Sequence, residues 1–336
     1  MSVRVIAFFN NKGGVGKTSL VYHIAWMLSK LDFRVVATDL DPQGNLSAAF
    51  LKDERLEELW PEKENQQSAT IFGAVRPLKR GVGDVQEPIL ERINDRLVLI
   101  PGDMSLSEYE DDLSQTWRLC LDQDERAFRV MSAFWRVMQK GAERHNADVV
   151  LVDLGPNLGA INRAALIASD AVVIPLGPDL FSLQGLRNLG PTLRRWRKEW
   201  SERLTKNPVR DLDLPQGSMA PIGYIVMQHS VRQDRPVRSY DKWIARIPGV
   251  YRTYVLDEPG DNAPLVAHDK HCFALLKHYR SLMPMAQESR KPMFALKPAD
   301  GALGAHTSAV QGAYNDFERL ARDIAQRAHV HASAAV

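Results

Sequence analysis

Cysteine is scarce in this sequence of 336 residues, which holds only Cys120 and Cys272, far apart and outside any Cys-x-x-Cys or Cys/His spacing. That excludes a disulfide-stapled framework and a spacing-defined zinc site, and it fits a reducing compartment. Long hydrophobic runs are also missing. No stretch approaches the roughly 20 apolar residues of a spanning helix, and the opening residues 1–9 lack the length and the small-residue cleavage site of a secretory leader. A dominant charge is missing too, with 43 Lys and Arg against 41 Asp and Glu for a net +2. The total alone therefore does not mark a nucleic-acid binder. No internal repeat or low-complexity tract interrupts the chain. What is present is ordinary for a folded protein, 45% hydrophobic and 25% charged, which excludes intrinsic disorder.

The charge is unevenly spread. Residues 186–300 hold 20 basic and 12 acidic side chains, whereas 1–185 hold 20 and 26. A basic half behind an acidic half points to an anionic partner, although solvated helix faces give the same pattern.

Short β-branched runs alternate with helical patterns. Val3–Phe9, RVVATDLD (34–41), RLVLIPGD (96–103), DVVLVDLGP (148–156), AVVIP (171–175) and PIGYIVM (221–227) read as strands. Helices are expected at 17–30, near 160–168 and at 181–204. This alternation predicts an α/β fold, a doubly wound parallel sheet flanked by helices, with ligands beyond the carboxyl ends of the strands. Three stretches fit less well: 51–95, 104–147 and 228–300. The second contains one helical pattern at 125–144. The third is expected to hold a strand at 251–256 and a helix through 265–280. Near the C-terminus Tyr314, Phe317, Leu320 and Ile324 fall on one helical face.

The strongest local signal is Lys12-Gly13-Gly14-Val15-Gly16-Lys17-Thr18, preceded by Asn11 and followed by Ser19, between a strand and a helix. Glycines let the backbone curl around an anion, and amides at a helix N-terminus cradle phosphate. In such a loop Lys17 reaches the β- and γ-phosphates and Thr18 ligates Mg²⁺. The usual first glycine is replaced by Asn11, and an extra lysine, Lys12, opens the run. Asp39, Asp41 and Asp153 also fall at strand ends. Each alone suits a turn or a cap, but together beside a phosphate loop they point to Mg-ATP chemistry.

The run from Lys12 to Thr18 resembles the deviant Walker A motif of the ParA/MinD family of dimeric ATPases. The stretch Thr38-Asp39-Leu40-Asp41-Pro42-Gln43-Gly44-Asn45 resembles the family's switch I in its ParA form, and Val149–Asp153 resembles Walker B. Gly155–Gly159 resembles switch II, with one proline where the family more often has two. The segment 165–189 is also similar to ParA. The resemblance covers 1–50 and 96–230 well and the remainder thinly.

It implies one ParA-like P-loop ATPase domain over 1–336 with insertions around 51–95, 104–147 and 228–300. It implies ATP and ADP as ligands, with Lys12 acting across a homodimer, Lys17 on phosphate and Asp41 on the attacking water. Mg²⁺ is then held by Thr18, Asp39 and Asp153. Adenine follows from the resemblance alone, with Met227 and Gln228 as base contacts. Non-specific DNA is the implied partner, through Lys277, Arg280, Arg290 and Lys291, in a cytoplasmic, nucleoid-associated protein stimulated by a ParB-like or other activator. Arg194, Arg195, Arg197 and Lys198, interleaved with Trp196 and Trp200, offer a second contact or simply an outer helix packed on the sheet.

Two rivals keep the switch and change its partner. A MinD-like membrane switch needs the stripe from Tyr314 to Ile324, yet the tail HVHASAAV lacks an anchor's bulky and basic residues, so no membrane is expected. An accessory-system ATPase acting on a protein is the other. No DNA-reading segment precedes the phosphate loop, so operon autoregulation is not expected. An iron–sulfur ATPase is excluded, because 153–163 has no cysteine.

Overall fold

The computed structural model describes residues 2–60, 69–227, 242–258, 263–277, 279 and 281–333. Among them eight strands form one sheet in the order β3-β4-β2-β5-β1-β6-β7-β8. The strands are β1 Arg4–Phe8, β2 Val35–Asp39, β3 Glu91–Arg92, β4 Leu97–Ile100, β5 Val149–Asp153, β6 Ala171–Leu176, β7 Ala220–Met227 and β8 Cys272–Leu276. Every pairing is parallel except β3 with β4.

Strands covered on both faces read as nearly continuous apolar runs, and β2, β5 and β6 are buried throughout, including the aspartates that end β2 and β5. Alternate residues feed two cores. Val5, Ala7, Val150 and Val152 face one, and Ile6, Phe8, Val149 and Leu151 face the other. The first core is closed by α4 (Ile71–Lys79), α5 (Glu110–Leu119), α6 (Glu125–Met131), α7 (Ala133–His145), α8 (Ala160–Ile167), α9 (Leu180–Leu204) and α10 (Ile247–Val250). The second is closed by α1 (Lys17–Lys30), α2 (Asn45–Phe50), α3 (Asp53–Leu59), α11 (Leu282–Ser289) and α12 (Ala305–Arg327). This is the doubly wound α/β arrangement that the alternation predicts.

Three local expectations fail. Tyr251–Leu256 is a π-helical turn rather than a strand. Pro248, in the first turn of α10, starts a helical run, and Tyr251 and Val255, four residues apart, share one buried face. The turn lies directly on α9, where a Cβ at Gly190 would collide with the Tyr254 carbonyl. The helix expected through 265–280 is instead a short 3₁₀ turn followed by β8, whose Phe273 and Leu276 are buried against β7. The single helix expected over 125–144 is broken into α6 and α7 at Ser132, whose hydroxyl donates to the Phe128 carbonyl at 2.7 Å.

The amphipathic stripes resolve as packing. Phe317, Leu320 and Ile324 are buried in the second core, where α12 lies on α1. Trp196 and Trp200 are buried under α9. Arg194 donates to the Tyr254 carbonyl at 2.7 Å and Arg197 to the Ser218 carbonyl at 2.7 Å. No described helix is long and apolar enough to cross a membrane.

Candidate functional site

The carboxyl ends of β1, β2 and β5 are adjacent in the sheet, so the loops that follow them converge. Between β1 and α1 the backbone turns through Gly14 (φ 72°) and Gly16 (φ 87°), left-handed conformations that side chains resist. Val15 is buried and pins the loop, while Gly13 and Gly14 are exposed. Asn10, also buried, braces it by donating to the Pro175 carbonyl at 2.7 Å and accepting from the Lys12 amide at 3.0 Å. The Asn11 side-chain oxygen is buried without a partner beside Gly185 of α9.

Lys17 is 7% exposed, and its ammonium donates to the Lys12 carbonyl at 3.2 Å. Burial lowers its pKa, against the opposing pull of Asp153 and Asp41. Lys12 takes a different direction. Its ammonium is hydrogen-bonded to Asp179 and lies 5.8 Å from the centre of the exposed Phe181 ring. Asp179 is also the N-cap of α9, accepting from the Ser182 amide at 2.9 Å. Burial alone would raise Asp179, but Lys12 and these amide contacts hold it below the usual carboxylate range.

The three aspartates are not equivalent. Asp39 is fully buried and occupied: Oδ2 accepts from the Ser47 amide and hydroxyl, each at 2.8 Å, and Oδ1 from the Asp41 amide at 3.2 Å. Burial still raises it to about 6. Asp41 is 6% exposed and accepts from the Gln43 amide at 3.0 Å. Asp153 is fully buried, and neither carboxyl oxygen has a hydrogen-bond partner. Burial first, then the neighbouring Asp39, push it up to about 8. Thr18 and Lys17 lie close enough to oppose that rise without a well-formed hydrogen bond.

An unpartnered buried carboxylate beside a threonine hydroxyl is a fit for a divalent cation. Among the described residues no three His, Cys, Asp or Glu side chains form a metal cluster. Mg²⁺ does not need one, since it is commonly held by one or two carboxylates plus substrate phosphates. Asp153 and Thr18 suit that role. Asp39, saturated by Ser47, suits the support of its neighbours better than ligation.

A cleft of about 790 Å³ opens over the loop, large enough for a nucleotide. Its floor includes Gly13, Lys17, Thr18 and Ser19, one wall is Asp41 with α2, and the other is α11 with Arg290 at the rim. An apolar slot of about 80 Å³ continues from Gly16 and Ser19 to Met227, Tyr279 and Met283. Lys277 also lines this slot, its ammonium 5.8 Å from the Tyr279 ring centre. Arg290 pairs with Asp53 at 2.7 Å, and Lys291 with Asp300 at 2.7 Å. Gln228 and Arg280 lie outside the described residues. Sequence reasoning missed Asn10, Ser47 and Asp179. Of these only Asp179 carried a readable signal, an Asp three residues before Ser182 at a helix start.

The parallel sheet, the glycine-curled loop after β1 and the carboxylates at neighbouring strand ends define a P-loop NTPase. The family model AAA_31, an AAA domain, matches residues 3–206. The chain belongs to this family, in its ParA branch. The chromosome partitioning protein ParA of Caulobacter vibrioides is 31% identical over 202 residues, 60% of this chain and 66% of that protein. The sporulation initiation inhibitor protein Soj of Bacillus subtilis is 29% identical over 195 residues, 58% of this chain and 66% of its own. The matches thus span less than two thirds of these relatives' lengths. Among solved structures, protein DIP2308 from Corynebacterium diphtheriae aligns with a TM-score of 0.60 and 28% identity over 72% of this chain and 87% of that one. An ATP complex of a Cyanothece McdA variant shares the fold, with a TM-score of 0.63 and 15% identity over 99% of both chains.

Proposed function

We propose that this chain is a ParA-like ATPase that works as a dimerisation switch. Two copies close on ATP, hydrolysis is slow, and the closed form holds DNA without sequence preference to partition or position DNA or another cargo. The observation that carries this reading is Asp153, buried and unpartnered near Thr18 and Lys17, which line a nucleotide-sized cleft.

In this scheme the amides of residues 11–19 and the Lys17 ammonium hold the phosphates, and Met227 borders the slot for the base. Asp41 orients water for attack on the γ-phosphorus as the bond to the ADP oxygen breaks. Lys12 leaves Asp179 and spreads positive charge on the phosphate of the second copy. Asp153 and Thr18 hold Mg²⁺, which when bound supplies charge neutralisation on the phosphate oxygens. Lys277, Arg290 and Lys291 contact DNA, with affinity from phosphate contacts and counterion release. A ParB-like or other activating protein accelerates hydrolysis and release. The whole of 1–336 acts as one ATPase unit in the cytoplasm, on the nucleoid when DNA is held.

The test is co-sedimentation of the Asp41→Ala protein with DNA and with liposomes, with and without ATP. ATP-dependent pelleting with DNA, weakened by salt, is expected. Pelleting with liposomes alone overturns the DNA assignment, and a monomer in ATP by light scattering overturns the dimer.

A further inference from the structure

The loop after Asp153 is held by a carboxylate from the 104–147 stretch. Glu110, the first residue of α5, accepts from the Ala160 amide through Oε1 at 2.5 Å and from the Ile161 amide through Oε2 at 2.8 Å. These are the first amides of α8, which the helix itself leaves without acceptors, at its electropositive end. The same loop is tied from within. Asn162, 1% exposed, donates to the Gly155 carbonyl at 2.9 Å and the Asn157 carbonyl at 2.7 Å.

The loop lies close to the reacting groups as well. At Gly159 a Cβ would stand 2.6 Å from Glu110 Oε1, so the carboxylate occupies the space beside the last residue of the loop. At the other end a Cβ on Gly155 would stand 3.3 Å from Asp41 Oδ1, and Pro156 packs on Gly13. α5 is a firm base, with Leu113 and Trp117 in the first core. Loop 155–159 is therefore suspended between two anchors, the end of β5 and the Glu110 fork. Without the fork its far end keeps only the Asn162 and Asn157 ties, and a shift of about 1 Å is enough to misplace a reacting group.

We propose that Glu110 is a positioning residue for hydrolysis, fixing loop 155–159 and through Gly155 the setting of Asp41. The inference rests on the ATPase reading above. Glu110 itself does not line the nucleotide cleft, and of loop 155–159 only Pro156 does, so the main effect of Glu110 falls on turnover rather than on nucleotide affinity.

Glu110→Gln keeps the volume and removes one of the two acceptors. We expect kcat to fall about tenfold while KM for ATP and the affinity for ADP stay within about twofold. Hydrogen exchange of the amides at 155–161 should quicken at least about fivefold, with little change in melting temperature. Unchanged kcat overturns the proposal. So does a parallel loss of kcat, nucleotide affinity and melting temperature, which marks a merely structural contact. If the wild-type protein turns over ATP no faster than Lys17→Ala, the ATPase reading has failed instead. Exchange at 155–161 then decides alone, and rates unchanged by Glu110→Gln overturn the clamp.

Discussion

The floor of the nucleotide cleft and its basic C-terminal rim handle charge in opposite ways. At the floor and just behind it, burial depresses the Lys17 ammonium, and the neighbouring Asp153 has no partner and is pushed up to about 8. At the rim, Arg290 holds Asp53 and Lys291 holds Asp300 at 2.7 Å each, and Tyr279 donates to Asp316 at 2.8 Å. A buried carboxyl without a partner is costly, and ionising it costs several kcal/mol more, so the site is left incomplete for something that completes it. Arg290 and Lys291 are paired already, and any phosphate that binds them must compete with an existing carboxylate. Unsatisfied groups mark the ligand site here, while satisfied ones mark architecture that a partner has to displace.

The sharpest way to break this contrast is at the floor. Lys17→Ala removes the buried cation of the phosphate loop, and ATP affinity should drop more than about 100-fold in a fluorescent-nucleotide titration. Retained affinity removes the phosphate-loop assignment altogether. A smaller effect is expected at the rim. If Lys291 contacts DNA, Lys291→Ala should weaken ATP-dependent DNA binding by roughly tenfold and lower the salt slope by about 1. Asp300→Asn, which frees the lysine while keeping an acceptor for the Lys297 amide, should strengthen binding. Indifference of DNA binding to both changes makes the pair purely structural.

The same contrast decides what was legible in the sequence. The sheet and the loop could be read because fully buried parallel strands leave uninterrupted apolar runs, and a phosphate loop needs glycines at fixed places. Lys12 to Thr18 and the three aspartates all fall at or just beyond the strand ends that meet in the fold. What stayed hidden depends on long-range contact. Asp39 and Asp153 look alike as strand-end aspartates, and only the placement of Ser47 shows that one is saturated and the other is not. Glu110 is separated by 50 residues from the amide it holds, and no local pattern marks it. Residues 251–256 misled because tyrosine and valine favour strands in isolation, whereas Gly190 admits a helical turn against α9.

The smallest expected effect uses pH to weigh the floor against an apolar site nearby. Asp153 in the ligand-free fold titrates near 8, far above the ordinary 3.8, because burial and Asp39 oppose its charge. The native state therefore keeps a proton that the unfolded chain has lost, and stability falls as pH rises from about 4 through about 8. His23 behaves in reverse. Packed on Phe317 and accepting from the Met293 amide at 3.1 Å, it is held down to about 4 by burial, so its contribution is lost only as pH falls from 6.5 toward 4. Between pH 6.5 and 8 the histidine term is flat and the Asp153 term is not. The melting temperature of the ligand-free protein should therefore decline by roughly 2–5 °C across that window. Asp153→Asn should remove most of the decline and raise the midpoint at pH 8. Saturating Mg-ATP should flatten the profile as well, since a cation at Asp153 favours the ionised form. A wild-type midpoint that is level from pH 6.5 to 8 means that Asp153 is already satisfied, and the distinction between the floor and the rim collapses.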